Sequence, residues 1–149
     1  MSTKAKKILI VDDEVDHVEL LSFNLQRKGY QVMAAYEGNS AIAAAEKEVP
    51  DLVLLDFMLP GLDGISVLRC LRQQEMTRNV PIVMVTARRE SSVLLDAIGE
   101  GATDVIHKPF SMSEMMQWVE RWLSDSASVP MVRCKISYVH RPELKRGPS

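Results

Sequence analysis

The sequence predicts an α/β fold in which βα units repeat around a parallel sheet buried on both faces. Two observations point there. Short apolar runs rich in Val, Ile and Leu alternate with longer amphipathic stretches, and a strand covered by helices on both sides reads as a near-continuous apolar run. Polar islands sit at or just after the ends of those runs: Asp12-Asp13, Asp56, Asp63-Gly64, Thr86-Ala87 and Lys108-Pro109. The carboxyl ends of parallel strands share one edge, where open α/β sheets build their sites.

The elements follow in order. Ile8–Val11 is the first strand. Asp13 or Glu14 starts a helix with Val15, Val18, Leu21 and Leu25 at helical spacing, and Gly29 suits its C′ position. Gln31–Ala35 is a weaker second strand. Ser40–Glu48 is an alanine-rich helix closed by Pro50. Leu52–Leu55 is the central strand, and Pro60, Gly61 and Gly64 mark a loop. Ile65–Gln74 carries Val67, Leu68 and Leu71 on one face. Pro81 precedes a fourth strand, Ile82–Val85. Ser91–Gly99 is a helix, and Asp104–His107 a short fifth strand. Ser111 and Glu114 form a capping box before a last helix striped by Met115, Val119, Trp122 and Leu123. Ser124 to Ser128 has linker composition. Met131–Val139 alternates weakly as a possible strand, and 141–149 reads as frayed.

A chain of 149 residues, 46% hydrophobic and 26% charged, suits one domain with a remainder. The net charge of −2 hides an asymmetry. Arg133, Lys135, Arg141, Lys145 and Arg146 against Glu143 give residues 126–149 a charge of +4, which leaves −6 for the rest. An acidic domain lacks the basic face that phosphate backbones require, so direct nucleic-acid binding by it is not expected. No apolar run approaches a membrane span, and the one behind the basic start stops at Val11, too short for a signal peptide. Cys70 and Cys134 form neither a disulfide framework nor a metal-ligand spacing. They read as reduced thiols of a cytoplasmic protein, Cys70 as a small core residue.

The strand-end residues carry the chemistry. Hard cations such as Mg²⁺ (or Mn²⁺) take oxygen ligands, usually one or two carboxylates plus a phosphate. Asp12 and Asp13 abutting Asp56 fit that need, and a cation would relieve their mutual repulsion. Asp56 ends the middle strand, where a nucleophile is well held. With its charge neutralised by a divalent ion, a phosphoryl group can be attacked to give an acyl phosphate. Lys108 offers a point charge and Thr86 a hydroxyl to the phosphoryl oxygens. A cis bond before Pro109 would aim the lysine across the sheet edge. Singly, each residue has a plainer role: Asp12, Asp13 and Asp56 as helix caps, Thr86 as a strand residue, Lys108 as a solvated charge. Their joint order at strand ends favours a phosphoryl site.

These motifs, spread over residues 7 to 123, strongly resemble the receiver domain of bacterial two-component response regulators. Ile8-Leu-Ile-Val-Asp-Asp13 matches the opening strand and acidic pair, and Asp56-Phe-Met-Leu-Pro-Gly-Leu-Asp-Gly64 the phosphoacceptor loop. Val85-Thr-Ala87 matches the switch hydroxyl segment, and Gly101 to Phe110 the fifth-strand segment. The resemblance implies a flavodoxin-like, doubly wound, five-stranded parallel sheet of order 2-1-3-4-5 with helices on both faces. It implies that Asp56 accepts a phosphoryl group from a sensor histidine kinase or phosphotransfer protein. Asp13, Asp56, the Met58 backbone carbonyl, and Asp12 directly or through water would hold Mg²⁺ (or Mn²⁺), while Thr86 and Lys108 bind phosphoryl oxygens. Catalysis would be limited to self-catalysed acceptance and slow autodephosphorylation. The organisation expected is an N-terminal extension (1–6), the receiver (7–124) and a basic tail (125–149) with no output domain.

Two departures from the family pattern matter. The fifth-strand position that commonly holds a swinging aromatic is Val105, so output is expected through backbone motion of the loop after Thr86. The face made by the fourth helix, fifth strand and last helix, where a downstream protein would bind, offers Asp96, Glu100, Asp104, Met116, Trp118, Glu120 and Arg121. Its acids outnumber its bases, which disfavours a charge-matched symmetric dimer, whereas an exposed Trp118 with Met116 suits a partner surface.

Arg88 and Met58, each two residues past a site residue, are expected to tune hydrolysis of the acyl phosphate. His17, His107 and His140 form no cluster in sequence. Two other functions compete: an Mg²⁺-dependent aspartyl phosphohydrolase, which would want a second acid and a cap near Asp56, and an unphosphorylated interaction module, which the intact acids, hydroxyl and lysine oppose.

Overall fold

The structure is a computed structural model that describes residues 4–124. Five strands and five helices alternate: β1 Lys7–Val11, α1 Val15–Arg27, β2 Gln31–Ala35, α2 Gly38–Lys47, β3 Leu52–Asp56, α3 Gly64–Gln73, β4 Ile82–Thr86, α4 Ser91–Gly99, β5 Asp104–His107 and α5 Met112–Leu123. All strand pairs are parallel, in the order β2-β1-β3-β4-β5. The fold class, strand order and element sequence read from the chain are those observed. The stretch 125–149, with Cys134, His140 and the weak alternation of 131–139, lies outside the described residues.

Side-chain alternation along each strand sorts the core into two layers. Leu9 and Val11, Val53 and Leu55, and Met84 pack with Ala41 and Ala45 of α2, Leu68 and Leu71 of α3, and Ala97 of α4. Ile8 and Ile10, Leu52 and Leu54, and Val83 and Val85 pack with Leu21 and Leu25 of α1 and Met115 and Trp122 of α5. Helices therefore cover both faces, and the three strands β1, β3 and β4 are almost wholly buried, while edge strand β2 is exposed in part. Its mixed pattern is why it read as the weak strand.

Local details sharpen the boundaries. β3 and β4 each extend one residue beyond the apolar run, so Asp56 and Thr86 are themselves last strand residues. α2 begins at Gly38, ahead of the alanine run, where a Cβ would come within 2.7 Å of the Leu62 carbonyl oxygen. α3 is capped by Asp63, which accepts from the Ser66 N–H at 2.9 Å, and α5 by the capping box of Ser111 and Glu114. Gly29 takes φ +97° after α1, as its position past the helix end requires. Cys70 is half-buried beside Gln74 rather than inside the core.

The surface around α4, β5 and α5 corrects part of the sequence reading. Asp104 is buried, and its carboxylate accepts from the Val105 N–H at 2.8 Å. Glu100 pairs with Arg69 of α3 through two hydrogen bonds of 3.1 and 3.0 Å. Met116 and Glu120 line a groove shared with Asn24, Lys28 and Tyr30 on the α1 side. Trp118 is half-buried and stacks at a tilt on Trp122, with ring centroids 6.4 Å apart. Residues 116 and 120 lie roughly 200° round α5 from residue 118, so the three positions expected on one face do not share it, and Met116 and Glu120 turn toward α1. Among the described residues no helix is long and apolar enough to cross a membrane.

Candidate functional site

The register of the sheet brings the polar strand ends together. Val11 pairs with Leu55, so Asp12 follows β1 beside Asp56, the last residue of β3. Asp56 pairs with Val85, which puts Thr86 one step further along β4. Thr86 pairs with His107, so Lys108 leaves β5 at the same edge, its N–H donating to the Thr86 carbonyl at 2.8 Å. Asp12, Asp56 and Thr86 are 4%, 7% and 0% exposed.

Side chains close the cup. Lys108 Nζ donates to Asp56 Oδ2 at 3.0 Å and to Asp12 Oδ2 at 3.3 Å, and lies 3.7 Å from Glu14 Oε1. Asp56 Oδ1 accepts from the Met58 N–H at 3.0 Å, and Asp12 Oδ1 from the Glu14 N–H at 2.9 Å. Carboxylate oxygens of Asp12, Asp13 and Asp56 lie within 4.8 Å of one another. An all-oxygen set at that spacing is suited to a hard divalent cation. The Lys108–Pro109 peptide bond is cis.

Electrostatics separate the two buried acids. Burial pushes the Asp12 carboxyl up, but hydrogen bonds from His17 and the Glu14 amide, with the Lys108 charge, prevail and hold it down at about 2. At Asp56 burial wins: its carboxyl is raised above the ordinary range, although the Met58 amide and Lys108 favour the anion. Burial also opposes the Lys108 charge, yet Asp56 and Asp12 together raise its pKa. The site thus holds one firmly ionised acid and one acid that an incoming positive charge would help to ionise.

Of the residues expected at the site, the structure joins Asp12, Asp13, Asp56 and Lys108 directly. The Thr86 hydroxyl accepts from the Arg88 N–H at 2.8 Å, so it is tied to the loop before α4 instead of to the acids. Arg88 itself reaches back to the residues that follow Asp56: its guanidinium carbon is 6.0 Å from the Phe57 ring centroid, Nη1 is 4.0 Å from Met58 Sδ, and Nε is 3.2 Å from Glu90 Oε1. Val105 is 2% exposed and packs in the α2–α3–α4 layer, so position 105 offers no aromatic ring that could rotate.

Sequence reasoning missed His17. Its Nδ1 lies 2.8 Å from Asp12 Oδ2 and its ring is tilted against Phe110, centroids 5.6 Å apart. The available signal was its place in the first turn of α1, since helical side chains lean toward the helix N-terminus, here back over the end of β1.

The model of the response regulator receiver domain matches residues 8–120. The chain is 49% identical over 110 residues to the alkaline phosphatase synthesis transcriptional regulatory protein PhoP of Bacillus subtilis, a match over 74% of this chain and 45% of that protein. The chain therefore spans less than half of that relative's length. Among solved structures, chemotaxis protein CheY4 of Vibrio cholerae is similar at a TM-score of 0.77 and 29% identity, over 80% of this chain and 100% of that one. The receiver domain of a sensor histidine kinase of Pseudomonas aeruginosa, described with a magnesium ion coordinated in its active site cleft, is similar at 0.74 and 32%, over 80% and 98%.

Proposed function

The chain belongs to the response regulator receiver domain family, whose members act as phosphorylation-regulated switches in two-component signalling, and from that membership we propose that Asp56 is its phosphoacceptor. The observation that carries the assignment is the contact of Lys108 with both Asp56 and Asp12 at the end of the central strand. Two buried carboxylates and a positive charge in contact are what phosphoryl acceptance at Asp56 would require.

The donor set of Asp12, Asp13 and Asp56, with the Met58 backbone carbonyl, fits Mg²⁺ or Mn²⁺. When bound, such a cation supplies charge neutralisation and orientation for the phosphoryl oxygens. The chain's own residues do the rest. An Asp56 oxygen attacks the phosphorus of a phosphohistidine on a kinase or phosphotransfer protein. The P–N bond breaks, its electron pair stays on the imidazole, and an acyl phosphate remains on Asp56. Lys108 moves from the free carboxylate to a phosphoryl oxygen, compensating charge without crossing the cup. Thr86 keeps its hydroxyl proton while accepting from the Arg88 N–H, so a shift of its oxygen toward the phosphoryl group would pull on the loop at 86–90.

That loop leads into α4, where Leu95 is 56% exposed. With Val105 in place of an aromatic, we assign output to backbone movement of the 86–92 segment, read by a downstream protein on the α4–β5–α5 face. The reading places the chain in the cytoplasm and makes it a switch, with catalysis limited to accepting and slowly losing its own phosphoryl group.

The test is incubation with Mg²⁺ and acetyl phosphate followed by mass spectrometry. A labile adduct on Asp56 after one turnover is the expected result. Repeated turnover of many phosphoesters would make the protein a phosphohydrolase, and the absence of an adduct would reject the assignment.

A further inference from the structure

We propose that His17 is a positioning residue of the cation site: its Nδ1–H fixes the Asp12 carboxylate, and Mg²⁺ affinity depends on that hydrogen bond. The inference rests on the phosphoacceptor reading above.

Asp12 is 4% exposed, so its orientation is set by protein groups and not by solvent. Three donors reach it: the Glu14 N–H at 2.9 Å on Oδ1, and His17 Nδ1 at 2.8 Å and Lys108 Nζ at 3.3 Å on Oδ2. An ionised carboxylate only accepts, which assigns the proton to Nδ1. Lys108 cannot hold Oδ2 by itself. It is closer to Asp56, at 3.0 Å, and also reaches toward Glu14. Its flexible stem makes it a mobile point charge. In the proposed chemistry it must leave Asp12 and Asp56 for the phosphoryl oxygens. His17 is then the side-chain donor that stays.

The ring is held to that task from both sides. It springs from the first turn of α1, whose side chains lean back toward the strand end. Phe110 tilts against it at 5.6 Å, and the same two rings line a small cavity together with Asp12, Asp56, Ile10, Leu54 and Val85. The side chain is 23% exposed, so the bond to Asp12 is partly shielded from water. Carboxylates at metal sites depend on such outer hydrogen bonds, whose loss typically lowers metal affinity by roughly 10–100-fold.

Isosteric replacements single out the atom. The amide nitrogen of asparagine is attached at Cγ, as Nδ1 is, whereas that of glutamine takes the place of Nε2. Mg²⁺ is titrated calorimetrically, at one fixed pH, into the whole chain as wild type and as His17→Ala, His17→Asn and His17→Gln. Thermal melts without Mg²⁺ check folding. The expected result is affinity lower by about tenfold or more for His17→Ala and His17→Gln, with His17→Asn close to wild type. Should His17→Ala melt below the assay temperature, the Asn–Gln pair carries the comparison. Wild-type binding that all variants match, or His17→Asn as weak as His17→Gln, overturns the role of Nδ1. Absence of Mg²⁺ binding by the wild type itself would instead overturn the reading of the cup, and the inference with it.

Discussion

Lys108 donates to Asp56 at 3.0 Å, so the acidic cup carries a cation of its own at the position where a phosphoryl oxygen is proposed to arrive. A resident ammonium and a divalent ion compete for the same negative field. Breaking a buried ion pair leaves a carboxylate uncompensated, at a cost of roughly 3 kcal/mol or more. Lys108→Ala is therefore expected to melt lower than wild type without Mg²⁺ and to gain more stability from Mg²⁺. Melting curves across a Mg²⁺ series measure both. A variant that Mg²⁺ stabilises no more than wild type would show that the two cations do not compete.

Asp56 makes the opposite contribution to stability in Mg²⁺-free buffer. Burial raises its folded-state pKa above the ordinary carboxyl value of 3.8. A raised acid binds its proton more tightly in the folded than in the unfolded chain, so stability is lost as pH rises above that value toward neutrality. Asp56→Asn keeps an acceptor for the Met58 N–H and removes the charge. It is expected to raise Tm at pH 7 in Mg²⁺-free buffer, by several degrees for a change of ~1 kcal/mol in a domain of this size. A lower Tm would contradict the burial argument.

Asp12 responds to acid with the reverse sign. Its folded-state value of about 2 lies below 3.8, so its stabilisation is complete above the unfolded value and is lost as pH falls through this window. The shift corresponds to about 2 kcal/mol. Urea unfolding between pH 2 and 5 should show Asp12→Asn losing less stability on acidification than wild type. Parallel curves would mean that His17, the Glu14 amide and Lys108 do not favour the Asp12 anion.

These contrasts show what could be read from the chain. The runs 8–11, 52–55 and 82–85 are apolar enough to specify central strands, with 104–107 as a shorter fourth, and the residues that follow them fall at one edge by topology alone, so the place of Asp12, Asp13, Asp56, Thr86 and Lys108 at that edge was legible. Side-chain direction was not. That the Thr86 hydroxyl faces Arg88, that Asp104 turns inward, and that Met116 faces α1 each depend on packing between elements distant in sequence. Arg72 is the plainest case. It sits among the exposed-looking polar residues of α3, yet its guanidinium donates to the carbonyls of Gly101 at 2.8 Å and Val80 at 2.7 Å and to Thr103 Oγ1 at 3.3 Å, tying three segments together.

Gly64 tests how tightly the phosphoacceptor loop is built. A Cβ there would run into the Asp56 carbonyl oxygen and come within 2.9 Å of Phe57 Cα. Both are backbone atoms of the strand end, which cannot rotate away. Gly64→Ala is expected to destabilise by roughly 1–3 kcal/mol, as overpacking does, and to lower Mg²⁺ affinity because Asp56 and Met58 shift. Gly61 has φ +73° with open space around it, so Gly61→Ala should cost only about 1–2 kcal/mol of backbone strain and leave Mg²⁺ affinity nearly intact. Equal effects of the two variants on Mg²⁺ binding would remove the link between loop packing and the cup.

Arg88 lies beside the two residues that follow Asp56. Its guanidinium stacks over Phe57 at 6.0 Å, touches Met58 Sδ at 4.0 Å and pairs with Glu90. Exposed, it adds little stability, and the prediction is that beside Phe57 and Met58 it restricts the access of water to an acyl phosphate on Asp56. Arg88→Ala removes that restriction and is expected to shorten the adduct lifetime severalfold. Met58→Asn removes the thioether on which Arg88 rests and offers an amide that can hydrogen-bond water, so it should act in the same direction. The decay of the acetyl-phosphate adduct, followed by intact mass after removal of the donor, gives both rates. Unchanged decay in both variants would mean that Arg88 and Met58 do not control access of water.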